Sequence, residues 1–411
     1  MQMRSRYIAY AVPALPLALF ALPLYVHLPK LYAGDLGLPL ALIGATLLGA
    51  RLLDAVCDPL IGRWCDRHRR RKQMLLLALP LLMLGSSMLF LPPDGVGLLW
   101  LLSGLVLAYA GYSLAMINHQ AWGAEFPADE SGRLQATAWR EGAALLGVLF
   151  AAGLPLVLAD DLAPGMARLF WLFVPLLCAA VLLAVAYVPQ SAVKAAVTEQ
   201  PGADSLWRSV GFQKLILAYG VNGVAAAVPA TLVLFYVADV LQAAAWSGVF
   251  LLLYFLAAAL ALPFWVALAG RIGRLAAWRR AMWLAMASFA CTPFLGSGDT
   301  AIFATVCVAS GIALGADLAM PPALLAEHVA QRGQAATSYG WWAAVTKLSL
   351  ALAAGIALPL VSVFGYVPGE GGFASLAWVY GGLPLLLKAA ALWCVLQSQS
   401  ALQSLEQGAP A

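Results

Sequence analysis

The stretch Arg51–Lys72, RLLDAVCDPLIGRWCDRHRRRK, sets two carboxylates in an apolar run and then ends in a cluster of arginines. A charge inside a lipid-spanning helix is costly, and those that occur tend to mark ion or substrate paths. Asp54 and Asp58 stand four residues apart, so a helix puts them on one face, and Arg51, three before Asp54, joins the same stripe. Two carboxylates so spaced can share a sodium ion, or one can hold a proton because its neighbour and the low dielectric disfavour a second charge. A structural salt bridge from Arg51 to Asp54 is the plainer reading of these residues, and the two can coexist. Pro59 removes a backbone donor directly after Asp58 and loosens the helix there.

The surroundings make the stretch a membrane segment. Of the 411 residues, 63% are hydrophobic and only 10% charged, with a mean hydropathy of +0.87, whereas a soluble domain carries about 25% charged residues. Apolar runs long enough to cross a bilayer lie near 8–29, 37–61, 73–92, 97–121, 136–159, 167–188, 211–238, 244–268, 280–297, 300–325, 337–362 and 373–396. The composition thus predicts an all-α membrane protein of twelve spans. The longest polar connection, QSAVKAAVTEQPGADSLWRS, divides it into an N-terminal half (1–190), a linker (191–210) and a C-terminal half (211–411). The run after MQMRSR reads as a retained first helix rather than a cleaved leader. IGRWCDRHRRRK after the second run and AGRIGRLAAWRR after the eighth both put Gly-Arg at a helix exit, a weak repeat that suits two pseudo-symmetric halves.

Basic residues set the expected orientation. Of 23 Lys and Arg, seventeen fall on the side that holds the N-terminus and two, Lys30 and Arg168, on the other. The rule that cytoplasmic loops are positive therefore places both termini in the cytoplasm of a bacterial-type inner membrane. Arg51, Arg140, Lys347 and Lys388 remain within spans, Lys388 within snorkelling reach of an end.

Other polar residues interrupt the apolar runs. Asn118, His119 and Gln120 form a polar patch in span four; His119 can relay a proton or simply hydrogen-bond a neighbouring helix. Arg140 opens span five and can offer several donors to a hydroxylated or anionic solute, or pair with Asp54 or Asp58. Tyr219 and Asn222 share a face of span seven, Asp317 lies in span ten, and Trp341, Trp342 and Lys347 lie in span eleven. The tryptophans can stack on a sugar ring or anchor the helix at the headgroups. Glu125, Asp129 and Glu130 are expected to meet the basic loop after span two.

Several classes drop out. The sequence has no phosphate-binding Gly-rich loop with Gly-Lys-Ser/Thr, no HExxH and no GxSxG, so an ATPase or hydrolase is not indicated. The six cysteines (57, 65, 178, 291, 307 and 394) are scattered without metal-ligand spacing. No enzyme activity and no cofactor beyond a coupling ion is expected. The partners expected are a small-molecule substrate and lipid, with no nucleic acid, and the chain is expected to be a monomer.

Arg51–Lys72 resembles the signature of the major facilitator superfamily in the form carried by the glycoside–pentoside–hexuronide:cation symporters, the melibiose permease family. KLYAGDLGLPLALIGATLLGARLLDAVCDPLIG (30–62) is similar to the family's pattern around Asp-Ala-x-x-Asp-Pro. AWGAEFPADESGR (121–133) resembles its exit from span four, and GADLAMPPALLAEHVAQRGQ with GWWAAVTKL (315–348) its span ten to eleven segment. The resemblance implies cation-site carboxylates at Asp54 and Asp58, a neighbouring base at Arg51, a sugar-contacting Arg140, and Lys347 as a link between cation and sugar sites. It also implies gating through Asp66 and Arg67, with Asp317 added here from its place in span ten.

The chain departs from that family where sugar hydroxyls are held. The acidic positions of spans one and four fall on Ala18 and Met116, and the span-four tryptophan on Gln120. The basic run after span two also lacks its usual preceding glycine. Galactoside specificity is therefore not carried over. The expected function is cation-coupled symport, by proton or sodium, of a sugar-like or glycoside solute, any sodium lying at Asp54 and Asp58. A proton-driven exporter of apolar or amphiphilic solutes and a non-transporting membrane sensor or assembly partner are the alternatives.

Overall fold

A computed structural model describes residues 2–93, 95–127, 129–151, 154–159, 161–190, 206–330 and 334–406. Most of the expected linker, with Lys194, and Arg332 of the basic set lie outside the described residues. Helix covers each of the twelve apolar runs. The longer ones are α1 (Gln2–Ala11), α2 (Ala14–Val26), α3 (Leu40–His68), α4 (Arg71–Phe90), α5 (Leu98–Glu125), α6 (Glu130–Ala151) and α7 (Leu162–Tyr187). After these come α8 (Val210–Phe235), α9 (Ser247–Ile272), α10 (Arg274–Phe289), α11 (Thr300–Ala330), α12 (Ala335–Val363), α13 (Phe373–Gln397) and α14 (Gln399–Glu406). Among the described residues, eight helices are long and apolar enough to cross a membrane by length and composition alone. Large apolar side chains such as Leu99, Leu260 and Leu386 are exposed, as a surface in contact with lipid requires.

Helix ends differ from the sequence reading in three places, each where polar residues continue a helix. α3 runs on through Asp66 and Arg67 to His68 and stops only at Arg69, whose φ of 51° is left-handed. That is the site of the missing glycine, and a side chain there costs about 1–2 kcal/mol. α10 begins at Arg274 and α6 at Glu130, so Arg279 and Ser131 lie on helix rather than in loops.

The described chain forms two compact units. The first comprises Met1–Glu199 with Val329–Ala344, the second Gln200–His328 with Val345–Ala411, so α12 begins in one and continues in the other. Small residues let helices of the first unit touch. A Cβ on Gly85 of α4 would stand 2.3 Å from the backbone of Ala108 on α5, and one on Gly147 of α6 would stand 2.9 Å from Cβ of Ala18. With no hydrophobic drive between helices in lipid, such close approach supplies the packing energy. In the second unit Gly311 of α11 meets the carbonyl of Tyr254 on α9 in the same way.

The two units repeat one another in detail. Wide π-turns follow the first long helix of each, at Leu31–Asp35 and Tyr236–Val240. Tyr32 donates to the Met88 carbonyl at 3.3 Å, near the end of α4, and Tyr236 to that of Thr292 at 2.7 Å, just past the end of α10. At the opposite end Arg71 pairs with Glu125 and Arg274 with Glu327. Each of these residues in the first unit stands at nearly the same sequence interval from its counterpart in the second, as parallel repeats require.

Arg274 has an additional carboxylate. Glu406 of α14 accepts from the backbone N–H groups of Arg274 and Leu275, which are the first donors of α10, while its carbonyl takes Arg274 Nη2 at 2.9 Å. Glu406 is thus an N-cap supplied from the far end of the sequence. Glu406→Ala should lower stability by about 1–2 kcal/mol, the worth of a good cap, read as an earlier thermal unfolding midpoint of the detergent-solubilised protein; an unchanged midpoint would show the cap to be dispensable.

Candidate functional site

In the first unit the charged stripe of α3 faces α5. Arg51 Nη1 stands 3.9 Å from Asp54 Oδ2, and its guanidinium lies 5.6 Å from the centre of the Tyr109 ring. Ser113 Oγ donates to Asp54 Oδ1 at 2.8 Å. Tyr109 and Ser113 are four apart and so share a face of α5. Asp54 is 5% exposed and Asp58 0%. Asp58 sits where α3 meets the start of α12. A Cβ on Gly340 would lie 2.5 Å from the Asp58 carbonyl, and one on Gly62 would lie 2.3 Å from that of Ala336. Backbone touches backbone at both points because a glycine stands on one side of each.

Arg140 is 2% exposed. It is bonded to its neighbour Glu141 and lies within electrostatic reach of Tyr10 and Tyr339, which are buried aromatics with polar ends. No ion pair to Asp54 or Asp58 is seen among the described residues.

Two expected cavity residues bond to neighbouring helices. His119 Nε2 is 2.6 Å from the Tyr10 carbonyl, and Tyr10 Oη donates to the carbonyl of His119 at 3.0 Å, with ring centres 4.4 Å apart. Asn118 Nδ2 donates to the Arg71 carbonyl at 2.5 Å. Both side chains are fully buried, and Gln120 beside them is 8% exposed. Backbone satisfies this polar run only in part, since Asn118 Oδ1 and His119 Nδ1 are buried without a hydrogen-bond partner among the described residues. Ala18, at the missing acidic position of span one, is packed against Gly147. A larger side chain there would enter α6, so position 18 offers no room for a hydroxyl-binding acid in this packing.

The end of the unit that bears the basic run holds a second cluster. Arg71 Nη2 is 2.7 Å from Asp66 and 2.5 Å from Glu125, to which Nε also donates at 3.0 Å. Asp66 further accepts from the N–H groups of Ala336 and Thr337, at 3.0 and 2.7 Å, and from the Thr337 hydroxyl at 2.7 Å. The carboxylate therefore caps the N-terminus of α12 while paired to Arg71, both favourable for an anion. The arginine of this network is Arg71, not Arg67, which is exposed. The chain turns at Arg69 after the helix ends, and that turn carries Arg71 inward and leaves Arg67 on the outer face of α3.

In the second unit Tyr219 Oη and Thr346 Oγ1 are 2.8 Å apart, one residue before the buried Lys347, and Ser349 donates to the Gly220 carbonyl at 3.1 Å. Asn222 is buried on the same helix as Tyr219. Trp342 is buried and Trp341 half-buried. Asp317 is held by Lys388 Nζ at 2.5 Å and by Trp278 Nε1 at 2.8 Å. Lys388 does not snorkel to an end; its ammonium is tied across the bundle to the carboxylate of another helix. Sequence reasoning misses that role, along with those of Ser113 and Arg71. The one signal is that Lys388 and Asp317 are opposite charges in otherwise apolar helices. No group of three or more His, Cys, Asp or Glu that could hold a metal is found among the described residues.

A family model described as MFS/sugar transport protein matches residues 9–397. No curated protein matches the chain by sequence. Among solved structures, a bacterial homologue of the iron transporter ferroportin in outward-facing state is similar with a TM-score of 0.74 and 15% identity, over 97% of this chain and 100% of that one. The E. coli fucose:proton symporter gives 0.68 and 14%, over 95% and 97%. The human organic anion transporter MFSD10 gives 0.67 and 17%, over 94% and 98%. At such identities the likeness is one of fold.

Proposed function

This chain belongs to the MFS/sugar transport protein family, and we propose from that premise that it is a cation-coupled symporter of a small polar, sugar-like solute, working by alternating access. In this reading it spans the inner membrane twelve times with both termini in the cytoplasm, and it belongs to the melibiose permease-like branch. The single observation that carries coupling is the buried stripe on α3, with Arg51 3.9 Å from Asp54 and Asp58 wholly buried beside it. Asp58 is the group that loads the ion, and Asp54, held by Ser113 and Arg51, is its positioning partner.

A proton fits this stripe better than sodium. Arg51 already presents positive charge to Asp54, and Ser113 Oγ spends its hydrogen on the same carboxylate. A sodium ion would have to share Asp54 with a guanidinium, whereas a proton on Asp58 needs no ligand cage. Arg140 is the donor proposed for solute hydroxyls or carboxylates in the first unit, and Lys347 and Tyr219 remain expected cavity residues of the second. The Asp66–Arg71–Glu125 cluster is the gate on the cytoplasmic side, since it must release α12 before that side can open.

An exporter of amphiphilic solutes is the second reading, and the observation that favours it is the packing of Ala18 on Gly147, which removes an acidic hydroxyl site. The test is external pH in de-energised cells expressing the protein, as sugars, glycosides and uronic acids are added in turn. Transient alkalinisation with one of them, in sodium-free medium, is expected. Silence there, with substrate-dependent sodium entry instead, would replace the proton by sodium. Silence in both would sink symport of this solute class.

A further inference from the structure

Within the second unit, α8, α9, α10, α11 and α13 surround a cavity of 270 Å³. None of its lining comes from α12 or from the first unit, so Lys347 is not part of it, and neither Tyr219 nor Asn222 reaches it. The size is just below the range of about 300–1,000 Å³ usual for small-molecule sites. The wall is mostly aliphatic and aromatic, with Phe250, Phe255, Met286 and Phe289 among its side chains. Ser310 turns its hydroxyl back to the Val306 carbonyl at 2.6 Å, so it offers the cavity little. The charged groups in the lining are Asp317 and Lys388.

The chemistry of that pair selects a ligand. Each Asp317 oxygen already has a donor, Trp278 Nε1 at 2.8 Å on one and Lys388 Nζ at 2.5 Å on the other. An ammonium has three N–H donors, and among the described residues Asp317 is the one acceptor that Lys388 meets. Tyr254 and Tyr380 add hydroxyls to the wall, but no bond from Lys388 to either is seen among the described residues, so its ammonium has donors to spare for a ligand oxygen. The pair is electrically balanced, so a ligand carboxylate would add an uncompensated charge to an apolar wall, at high cost. A cationic ligand would likewise add an uncompensated charge, and would set it beside the Lys388 ammonium. A plain hydrocarbon would leave the ammonium donors unmet.

We propose that this cavity is a binding site for a neutral amphiphile, an apolar body ending in a hydroxyl or carbonyl oxygen that accepts from Lys388. It is separate from the residues assigned to the transported solute and holds whichever solute is carried. Because Asp317, Lys388 and Trp278 lie on α11, α13 and α10, an occupant braces three helices of the unit at once.

Cys307 lines the cavity and is buried, which gives a built-in reporter. The purified full chain in nanodiscs is alkylated with N-ethylmaleimide in the presence of decanol, decanoate or decane at matched membrane concentrations, and each cysteine is followed by peptide mass. Decanol should slow modification of Cys307 about tenfold when present at about ten times its Kd, while half-buried Cys394, outside the cavity, keeps its rate. Decanoate and decane should leave Cys307 unchanged. Lys388→Met should remove the protection. Ala313→Phe, which fills the cavity while keeping both members of the ion pair, should remove it too and cover the case in which Lys388→Met does not fold. Equal slowing by all three probes would show a slot for lipid chains, and no slowing by decanol would show an empty packing defect; either overturns the proposal.

Discussion

Replacing Asp58 by asparagine should abolish accumulation of the solute against its gradient while leaving exchange of labelled for unlabelled solute across the membrane. The side chain is the same size, so the contact of the Asp58–Pro59 backbone with Gly340 survives, and a carboxamide carries no ionisable proton. A group that loads the ion contributes to the loaded and unloaded states differently, and only that difference can drive a cycle. Concentrative uptake should therefore fall to the level of facilitated equilibration, with expression and thermal unfolding near wild type. The pair of assays separates coupling from folding. If Asp58→Asn accumulated solute as wild type does, the ion would have to load elsewhere, and Asp54 would be the first place to look.

Arg71→Leu should destabilise the protein more than loss of the Glu406 cap does. Its guanidinium is 1% exposed and serves Asp66 and Glu125 together. Removing one member of a buried ion network leaves the others charged and uncompensated, which costs about 3–5 kcal/mol. Asp66 would keep its two backbone donors and the Thr337 hydroxyl, so the stranded group is Glu125. Arg71→Leu with Glu125→Leu should for that reason recover a good part of the loss. Unfolding of single and double variants in detergent measures the coupling. A double variant no better than Arg71→Leu would mean that Glu125 is not the residue left exposed to the penalty.

The stripe on α3 is legible in the sequence because one helix carries all of it, so spacing alone brings Arg51, Asp54 and Asp58 to one face. Groups that meet across helices are legible only as isolated oddities. Lys388 reads as a residue near a helix end, and nothing local to it points to Asp317, which lies on α11. Arg67 and Arg71 are equivalent on composition, and what separates them is where α3 stops, at a left-handed arginine that carries no sequence mark. Asn118 and His119 keep two readings open in the sequence, solute cavity or helix packing, for a related reason. A buried polar side chain in lipid needs partners, but backbone carbonyls of α1 and α4 serve as well as a solute does, and the sequence does not say which is closer. Helix boundaries differ from the sequence reading where charge suggests a loop, as at Arg274 and Glu130, because a helix can carry charges in its first turn.

The sharing of α12 between units has a consequence for how the gene could be divided or duplicated. Cut at the central polar connection, the chain yields two fragments, and residues 329–344 travel with the second although they are packed into the first unit. The first fragment made alone would leave Asp66 without Ala336 and Thr337, and Gly62 without the backbone it touches. Each fragment is thus incomplete by a different amount, and assembly in trans must supply more than the docking of two finished halves. A tandem copy of either fragment would repeat that deficit rather than mend it.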